Sequence, residues 1–429
     1  MKASSWTKSH KLKKFDIIPA GGGVPKNLMG QLAGVKYFED IIDPSIHIVL
    51  SCYDTYGFLN EMPIRSGMNV HLHYSHPSQK EGFRWDDSTE PLVITNIDSN
   101  TSDTKREVFN LTLATRHAIS NHTTRVWEKY TDKISDTVSK ILKDKLEVKE
   151  ERLFIDETSN KYEFTGNYRR PLFMISSLCK KSIPTGSDGY SQTKGSSGFL
   201  FFETQDGYSF QDIDKTFGDA EDNKSIIKYQ YASDKYTLDD NNYYFSSPPR
   251  WVENHDIIKK LRSGQYKAAN YYYDILRKKP MFEEYSLKES LRTYLKLSNE
   301  EELIPAVYAD AYSRMTFGFV DEGTMTPAIE GQSAETPQDK INYEAQSSAR
   351  YSALFSQMLN VSIPMNLSLR VGQVIFCEFA KLNIEDPTRK GKNPASGLYM
   401  IARLSHEFGD KSYSGLTLVR DSFQNNTKS

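Results

Sequence analysis

Residues 370–379, RVGQVIFCEF, repeat the pattern of residues 65–74, RSGMNVHLHY. In both stretches an Arg-X-Gly triplet precedes a segment in which apolar residues recur at every second position, as they do in a half-buried strand. The glycine of the triplet then precedes a leucine, Leu111 or Leu416, by 44 positions in each copy. Because strand side chains alternate between two faces, equal offsets keep equivalent residues on the same face. The sequence therefore predicts a duplicated β-unit, although two unrelated amphipathic segments would also match by coincidence.

A duplicated unit has a direct consequence for assembly. A chain that carries two copies of one unit can act as two subunits of a ring, so three such chains would supply six equivalents. A ring component needs equivalent copies, whereas an enzyme or a binding module does not. We therefore place a structural function first. A carbohydrate-binding module with a Tyr-lined face and a peptidoglycan hydrolase remain the alternatives.

The remaining pattern predicts an α+β fold that is mainly β. Short alternating segments broken by turn residues are typical of antiparallel strands, and apolar residues at a 3.6 period predict helices over 135–145 and 171–181. Such strands form a small antiparallel barrel or sandwich, and we expect two such units, taken as barrels, together with a smaller α+β domain and an inserted segment. The predicted units are a basic, glycine-rich N-terminal arm (1–31), a first barrel (32–125), an α+β domain (126–250), a discontinuous second barrel (251–285 and 341–425) and an insertion (286–340).

The composition favours a soluble assembly protein. Hydrophobic residues make up 38% and charged residues 26%, and the net charge of −2 lacks the cationic surplus that phosphate binding needs. The three cysteines, Cys52, Cys179 and Cys377, are far apart and favour a reduced cytosolic site of assembly. No apolar run follows the basic N-terminus, so no signal peptide is predicted. The longest apolar run, 199–202, is too short to span a membrane.

Several short strings outside the repeat carry a further signal. They lie at 38–42, 57–59, 62–64, 198–204, 207–208 and 397–422, and a helix is expected after Tyr130. Together they resemble the baseplate central hub proteins of T-even-like contractile-tailed bacteriophages, particularly those of cyanophage type. The resemblance covers most of residues 32–423, and the string at 198–204, GFLFFET, is its most distinctive mark.

The resemblance implies a specific assembly. A hub of this kind is a homotrimer in which each chain contributes two tail-tube-like barrels to a pseudo-sixfold ring. The implied partners are the central spike protein below, tail-tube initiator and tube proteins above, and tape-measure and wedge proteins as further neighbours. DNA would pass through the channel without specific binding. The implied location is the tail baseplate of the virion, after assembly in the host cytoplasm. The 1–31 arm and the 286–340 insertion depart from the family pattern, which leaves their contacts open.

Residues with metal-binding chemistry cluster at one place only. His71 and His73 would share one face of a strand, as metal ligands must, and His76 could return from the following turn. A polar face opposite Val70, Leu72 and Tyr74 explains the same spacing without a metal, and no fourth ligand is evident. We therefore expect no metal here.

Other catalytic and cofactor motifs are missing from the sequence. The string around His406 has aspartate where the zincin motif needs a second histidine, and no P-loop, GxSxG or GxGxxG motif occurs. Acidic residues are plentiful, but the sequence offers no way to choose a glycosidase pair. The basic arm and the basic loop at 389–392 are interpreted as solvated charge runs. We therefore expect no catalytic residues, no cofactor and no enzymatic activity.

Overall fold

The fold consists mainly of β-strands, with six α-helices among the described residues. The computed structural model describes residues 11–19, 22–54, 64–76, 79–103, 106–185, 198–222, 226–231, 243–254, 256–275, 278–287, 311–320, 344–379, 393, 395–409 and 412–422. The helices are α1 (Arg116–Thr123), α2 (Ile134–Leu146), α3 (Pro171–Cys179), α4 (Ile213–Asp222), α5 (Ile257–Ser263) and α6 (Glu344–Leu354). The predicted mainly β class is confirmed, as are the two predicted helices, which correspond to α2 and α3.

The described strands form one large sheet and three small ones. The large sheet contains β1 (Lys11–Ile18), β2 (Lys26–Asn27), β3 (Leu32–Asp40), β4 (His47–Asp54), β5 (Asn69–His76), β6 (Gln79–Trp85), β7 (Leu92–Asp103), β8 (Arg106–Thr115), β14 (Lys228–Gln230), β15 (Tyr243–Tyr244), β16 (Arg250–Asn254), β20 (Gln357–Pro364), β21 (Val374–Glu378), β22 (Gly397–Phe408) and β23 (Tyr413–Arg420). The small sheets pair β9 (Lys129–Tyr130) with β11 (Phe164–Thr165), join β10 (Leu153–Ile155) to β12 (Phe199–Thr204) and β13 (Gly207–Asp212), and join β17 (Lys267–Asp274) to β18 (Lys279–Ser286) and β19 (Arg314–Val320).

Eight strands form a continuous antiparallel row in the order β16-β20-β23-β22-β3-β4-β8-β7. Strand β5 pairs with β7 at only two positions and then continues between β1 and β6. Strand β21 similarly pairs with the first four residues of β22 and carries β14 on its other side. Among the described strands this sheet does not close on itself, so the two separate barrels of the prediction are not confirmed.

The row is built from two equivalent halves, β3-β4-β8-β7 and β16-β20-β23-β22. Ile94 lies opposite Leu113 in the first half and Ile401 opposite Leu418 in the second, and a bulge follows each isoleucine. The N–H of the triplet glycine donates to the carbonyl of that isoleucine in both halves, at 2.8 and 2.9 Å. Both glycines have positive φ, 89° and 79°, which a turn of this kind requires. The duplication extends over five strands, because β3, β4, β5, β7 and β8 correspond to β16, β20, β21, β22 and β23, whereas β1 and β6 have no counterpart among the described strands of the second half.

Each half buries one face of its strands. In the first half Ile48, Leu50, Leu111 and Leu113 are fully buried against the apolar side chains of β1, β5 and β6. The second half buries Leu359, Val361, Leu416 and Leu418 in a separate cluster with residues of β12, β14, β21 and α4. Because side chains alternate along a strand, the opposite face of the row carries the polar positions. The row is therefore covered on one side, whereas its other side is polar around the internal strand positions and buries Met400 and Val419 at one end.

The N-terminal arm predicted for 1–31 is wrong for its described part. Residues 11–18 form β1, which pairs with β5 from Asn69 to Ser75 and buries Phe15 and Ile17 completely. The lysine run masked the alternation, because Lys14 and Asp16 point away from the core while their neighbours enter it. The first half of the fold therefore begins at the start of the described chain.

The predicted second unit also has different limits. Of residues 251–285 only the end of β16 joins the large sheet, whereas β17 pairs with β18 on one side and with β19, from the predicted insertion, on the other. The piece inserted between β16 and β20 therefore runs from 255 to 356 and includes α5 and α6. Alternating tyrosines over 271–273 are typical of any amphipathic strand, and their spacing alone does not reveal which sheet they join.

The predicted α+β domain over 126–250 contains a compact unit and two outlying strands. Helices α2 and α3 pack with β12 and β13 around an apolar cluster that includes Ile141, Ile175 and Phe210. Strands β14 and β15, assigned to this domain from sequence, instead extend the large sheet next to β21. Tyr229 on β14 belongs to the core of the second half. The α+β unit consequently ends near the end of β13, since buried side chains of α4 also pack in the core of the second half.

Candidate assembly interface

The two halves of the row are joined by the pairing of β22 with β3, which we call the internal junction. Six consecutive residue pairs run from Arg403 opposite Asp40 to Phe408 opposite Val35. On the polar face the Arg403 guanidinium contacts the Asp40 carboxylate at 2.6 Å, and Lys36 and Glu407 approach to 3.6 Å. On the buried face the rings of Tyr37 and His406 stack at 5.8 Å. The junction is thus continuous with the strand ladders on both of its sides.

A buried carboxylate reinforces the internal junction from beneath. Glu39 on β3 accepts hydrogen bonds from the Tyr37 hydroxyl at 2.6 Å, from the Gln205 N–H at 3.1 Å and from the Val371 N–H at 3.0 Å. These donors belong to the first half, the α+β unit and the second half. Burial raises the pKa of Glu39, and the nearby Arg370 guanidinium opposes that effect. One side chain therefore connects all three parts of the chain.

A second carboxylate, Glu203 on β12, is fully buried between the α+β unit and the first half. Its Oε2 accepts hydrogen bonds from the Ile46 N–H at 3.2 Å and the Thr115 hydroxyl at 3.1 Å. Its Oε1 accepts none among the described residues. Burial raises the pKa of Glu203 to about 8. Between about pH 4.5 and pH 8 the folded chain therefore keeps this carboxyl protonated, whereas an ordinary glutamate is ionised there.

Arginines tie the remaining units together. Arg350 on α6, almost fully buried, donates to Asp214 on α4 at 3.0 Å and to Asp421, just after β23, at 2.7 Å. Arg370, from the RVG triplet, makes a two-pronged contact with Asp206 between β12 and β13. Planar guanidinium groups suit such paired contacts, and removing one partner of a buried pair is costly. These contacts fix the inserted piece and the α+β unit to the second half.

The two ends of the eight-strand row have unpaired edges within the described residues. Strand β16 pairs only with β20, and β7 beyond Ile94 pairs only with β8. These edges correspond to the two strands that meet in the internal junction: β16 is equivalent to β3, and β7 is equivalent to β22. Trp251 and Val252 on β16 expose apolar side chains at this edge. An exposed apolar edge strand is an open site for pairing with another chain.

The polar face of the row is close to neutral. Near the internal junction its charges occur as the two opposite pairs already described, and Asn110, Thr112, Asn360 and Thr417 add uncharged polar groups along neighbouring strands. Ser51 donates to Asn110 at 2.8 Å and Thr417 donates to Asn360 at 2.9 Å across strands. Among its described side chains, this face offers hydrogen-bonding groups without a continuous cationic surface.

The two described side chains of the predicted histidine cluster, His71 and His73, have different surroundings. His71 is buried beneath β1, with its Nδ1 3.1 Å from the Lys14 ammonium and its Nε2 3.1 Å from Asp87. His73 is partly exposed, and burial lowers its pKa. His76 ends β5 opposite Gln79. In the part of the chain whose side chains are described, no group of three or more His, Cys, Asp or Glu is placed to hold a metal ion.

Comparison with known proteins gives matches in solved structures alone. No family model matches the chain, and no curated protein matches it. The tail protein from Neisseria meningitidis MC58 superposes with a TM-score of 0.52 at 8% sequence identity, covering 95% of this chain and 96% of that one. The prophage MuSo2 43 kDa tail protein from Shewanella oneidensis gives the same TM-score and identity, covering 95% of this chain and 98% of that one. This chain has the fold of these phage tail proteins. None of the described helices is both long and apolar enough to span a bilayer.

Sequence reasoning missed the buried acids and arginines that hold these units together. Arg370 lies in the triplet that revealed the repeat, so its position was marked while its partner was not. Glu203 lies within the GFLFFET string, where one acid in an apolar run indicates a buried partner or a raised pKa. Glu39 follows the strand alternation Val35, Tyr37, which predicts an inward side chain. Only the tertiary structure shows which donors these groups meet.

Proposed function

We propose that this chain is the structural, non-enzymatic hub of a contractile phage tail baseplate of the T-even-like, cyanophage-type kind. Three copies form a pseudo-sixfold ring that joins the trimeric central spike to the hexameric tail tube and surrounds the DNA channel. The fold shared with phage tail proteins supports a tail role. The internal junction supports the ring, because the same pairing of equivalent strands can form the contact between neighbouring chains.

The register of the contact between chains follows from the repeat. In the internal junction Ser405 lies opposite Phe38. The equivalent of Ser405 in the first half is Asp98, and the equivalent of Phe38 in the second half is Glu253, because each faces a matching residue on its neighbouring strand. Asp98 of one chain therefore lies opposite Glu253 of the next. A rotation relates one half of the row to the other. If that rotation is one sixth of a turn, three chains joined by this same strand pairing close into a ring.

Such a ring has a defined width. Three rows of eight strands give 24 strands, which at about 4.8 Å per strand make a ring about 37 Å across between backbones. Removing one side-chain layer of about 5 Å on each side leaves about 27 Å, and strand tilt widens the opening. The polar face with its paired charges would line this opening. A lining without cationic surplus lets duplex DNA pass without holding it.

The proposed ring has several partners and one location. Its partners are two further copies of this chain, the central spike protein and the tail-tube initiator and tube proteins, with tape-measure and wedge proteins as further neighbours. Its place is the tail baseplate of the virion, reached after assembly in the host cytoplasm. No catalytic group, cofactor or metal takes part.

Cysteine cross-linking tests the ring directly. The native cysteines Cys52, Cys179 and Cys377 are all buried, and burial raises the pKa of each thiol, so introduced thiols react first. Asp98 and Glu253 lie at opposite ends of the row, seven strand spacings or about 34 Å apart, which excludes a disulfide within one chain.

The variant Asp98→Cys/Glu253→Cys should give covalent dimers and trimers on oxidation, with no larger species, and light scattering should give the mass of three chains. Each single variant is the matched control and should stay uncross-linked. A ladder extending beyond three chains indicates an open filament and contradicts the ring. A monomer that resists cross-linking even with the spike protein present contradicts the proposed function itself.

A further inference from the structure

The inserted piece carries an aromatic face that no described residue covers. Strands β17, β18 and β19 place their side chains in rows, with Tyr271 between Phe282 and Phe317 and Tyr273 beside Phe319. The Tyr271 ring lies 4.7 Å from that of Phe282 and 5.2 Å from that of Phe317. We define the aromatic face as Tyr271, Tyr273, Phe282, Met315, Phe317 and Phe319, whose exposed fractions range from 41% to 74%.

The two faces of this small sheet differ sharply. The opposite face buries Ala268, Tyr272 and Tyr285, and helices α5 and α6 pack there. One end of the aromatic face is bordered by a polar group, in which Lys267 contacts Glu284 at 2.6 Å and the Tyr312 hydroxyl donates to Glu284 at 2.7 Å. An apolar centre with a polar border is the usual composition of a protein–protein interface.

The exposed area is large enough for a specific contact. With about 200 Å² for a whole aromatic side chain, the six residues leave roughly 650 Å² accessible. This exceeds the largest apolar patch of many monomeric proteins and approaches the share of about 800 Å² that one partner contributes to a standard interface. A macromolecular partner, not a small ligand, fits a flat surface of this size.

The number of copies indicates the symmetry of that partner. In the first half the turn equivalent to the inserted piece is only the segment 41–46, between β3 and β4. The aromatic face therefore occurs once per chain, or three times in a ring of three chains. By contrast, the connections at the other end of the strands, after Asp103 and after Phe408, occur in both halves and so six times. One end of the ring therefore presents threefold features and the other sixfold features.

We infer that the aromatic face docks a threefold-symmetric protein that offers an apolar surface at each of three equivalent sites. A sixfold partner would meet this face at only half of its sites. A second copy of this chain could cover the face symmetrically only about a twofold axis, which a ring of three chains in one direction lacks. The inference rests on the proposed function, in which the threefold partner is the central spike and the sixfold partner is the tube.

Paired variants test the inference. Phe317→Glu/Phe319→Glu places charges at the centre of the face, and Phe173→Glu on α3, where the ring is 57% exposed, is the matched control in another unit. The probes are the purified trimeric spike protein and the purified tube protein of the same virus. The double variant should bind the spike at least 30-fold more weakly than wild type, because buried aromatic anchors dominate such contacts. Its mass of three chains and its binding to tube protein should not change, and Phe173→Glu should bind as wild type does.

Unchanged spike binding by the double variant overturns the inference while leaving the proposed function intact. Loss of the three-chain mass shows that a second copy covers the face, and selective loss of tube binding shows the opposite orientation; both results also overturn it. If wild type binds no spike and forms no ring, the proposed function fails first, and the inference fails with it. Near-ultraviolet circular dichroism of each variant establishes that the fold is kept.

Discussion

Replacing Glu203 by glutamine should stabilise the protein at neutral pH. The folded chain holds this carboxyl with a pKa of about 8, because burial disfavours the charged form, against an ordinary value of 4.5. Between these two values the unfolded chain releases the proton and the folded chain keeps it, so stability falls by about 1.4 kcal/mol per pH unit as pH rises. At pH 7 the wild type therefore loses about 3 kcal/mol that a neutral amide does not lose.

The geometry makes glutamine a close replacement. Its carbonyl oxygen keeps the two hydrogen bonds that Oε2 accepts from Ile46 and Thr115, and its amide group takes the place of Oε1. A protonated carboxyl likewise presents an accepting oxygen and one O–H donor, and the amide adds one further N–H. Glu203→Gln and wild type should therefore be equally stable at pH 4, where Glu203 is protonated in both states.

Urea unfolding at fixed protein concentration from pH 4 to pH 9 measures this difference. The concentration must be fixed, because assembly adds to the apparent stability. Glu151→Gln, at an exposed carboxylate, is the control and should lie within about 0.5 kcal/mol of wild type throughout. A stability gain of Glu203→Gln that does not grow with pH, or a loss at pH 8, would refute a protonated buried carboxyl at this position.

Three further predictions follow from the repeat, the histidines and the polar face. Leu113→Ala and Leu418→Ala should each lower the free energy of unfolding by about 2–5 kcal/mol, because both side chains are fully buried at equivalent positions, while Thr112→Ala on the other face changes little; near-wild-type urea midpoints in both leucine variants would contradict this. Elemental analysis of protein purified without chelators should find no zinc, since His71 already contacts Lys14 and Asp87; one zinc per chain would overturn that expectation. Fluorescence anisotropy should show that the wild type binds duplex DNA weakly at physiological salt. The variant Asp40→Asn/Glu407→Gln leaves Arg403 and Lys36 without their anionic partners, so it should bind DNA more tightly and with a steeper salt dependence. Tight binding by the wild type would argue against a neutral channel.

The repeat could be predicted from the sequence because it depends on residues whose structural requirements are local. The triplet glycines need positive φ, and the leucines that follow need a buried face, so both leave a signal at fixed spacing. The order in which the eight strands of the row pair leaves no such local signal in the sequence. The pairing of β22 with β3 joins residues more than 360 positions apart, and its register depends on contacts that are absent from either segment alone. The limits of the inserted piece were mistaken for the same reason.

From the sequence, we could predict that the two repeats must contact each other, but not which strands form that contact. Two equivalent units in one chain call for a contact between them, and the notion of a ring follows without knowing which strands make it. The identity of those strands came from the structure, in which Arg403 and Asp40 mark one completed contact. The edges of β7 and β16 could not be recognised from sequence, because an edge strand and an inner strand share the same alternation. Glu39 was hidden similarly, as two of its three donors, the N–H groups of Gln205 and Val371, come from distant segments.

Joining two repeats in one chain changes the thermodynamics of a ring. Six separate units must make six contacts between molecules, and each association costs several kcal/mol in translational and rotational freedom. Three duplicated chains make three of the six contacts within the folded chain, as β22 and β3 do here, and lose that freedom only for the other three. Duplication also allows the two halves to differ in sequence and length. The second half carries an insertion between β16 and β20, while the equivalent turn of the first half, between β3 and β4, is short. A ring built this way keeps sixfold spacing in its strands while presenting threefold features at one end, which is what a connector between partners of different symmetry requires.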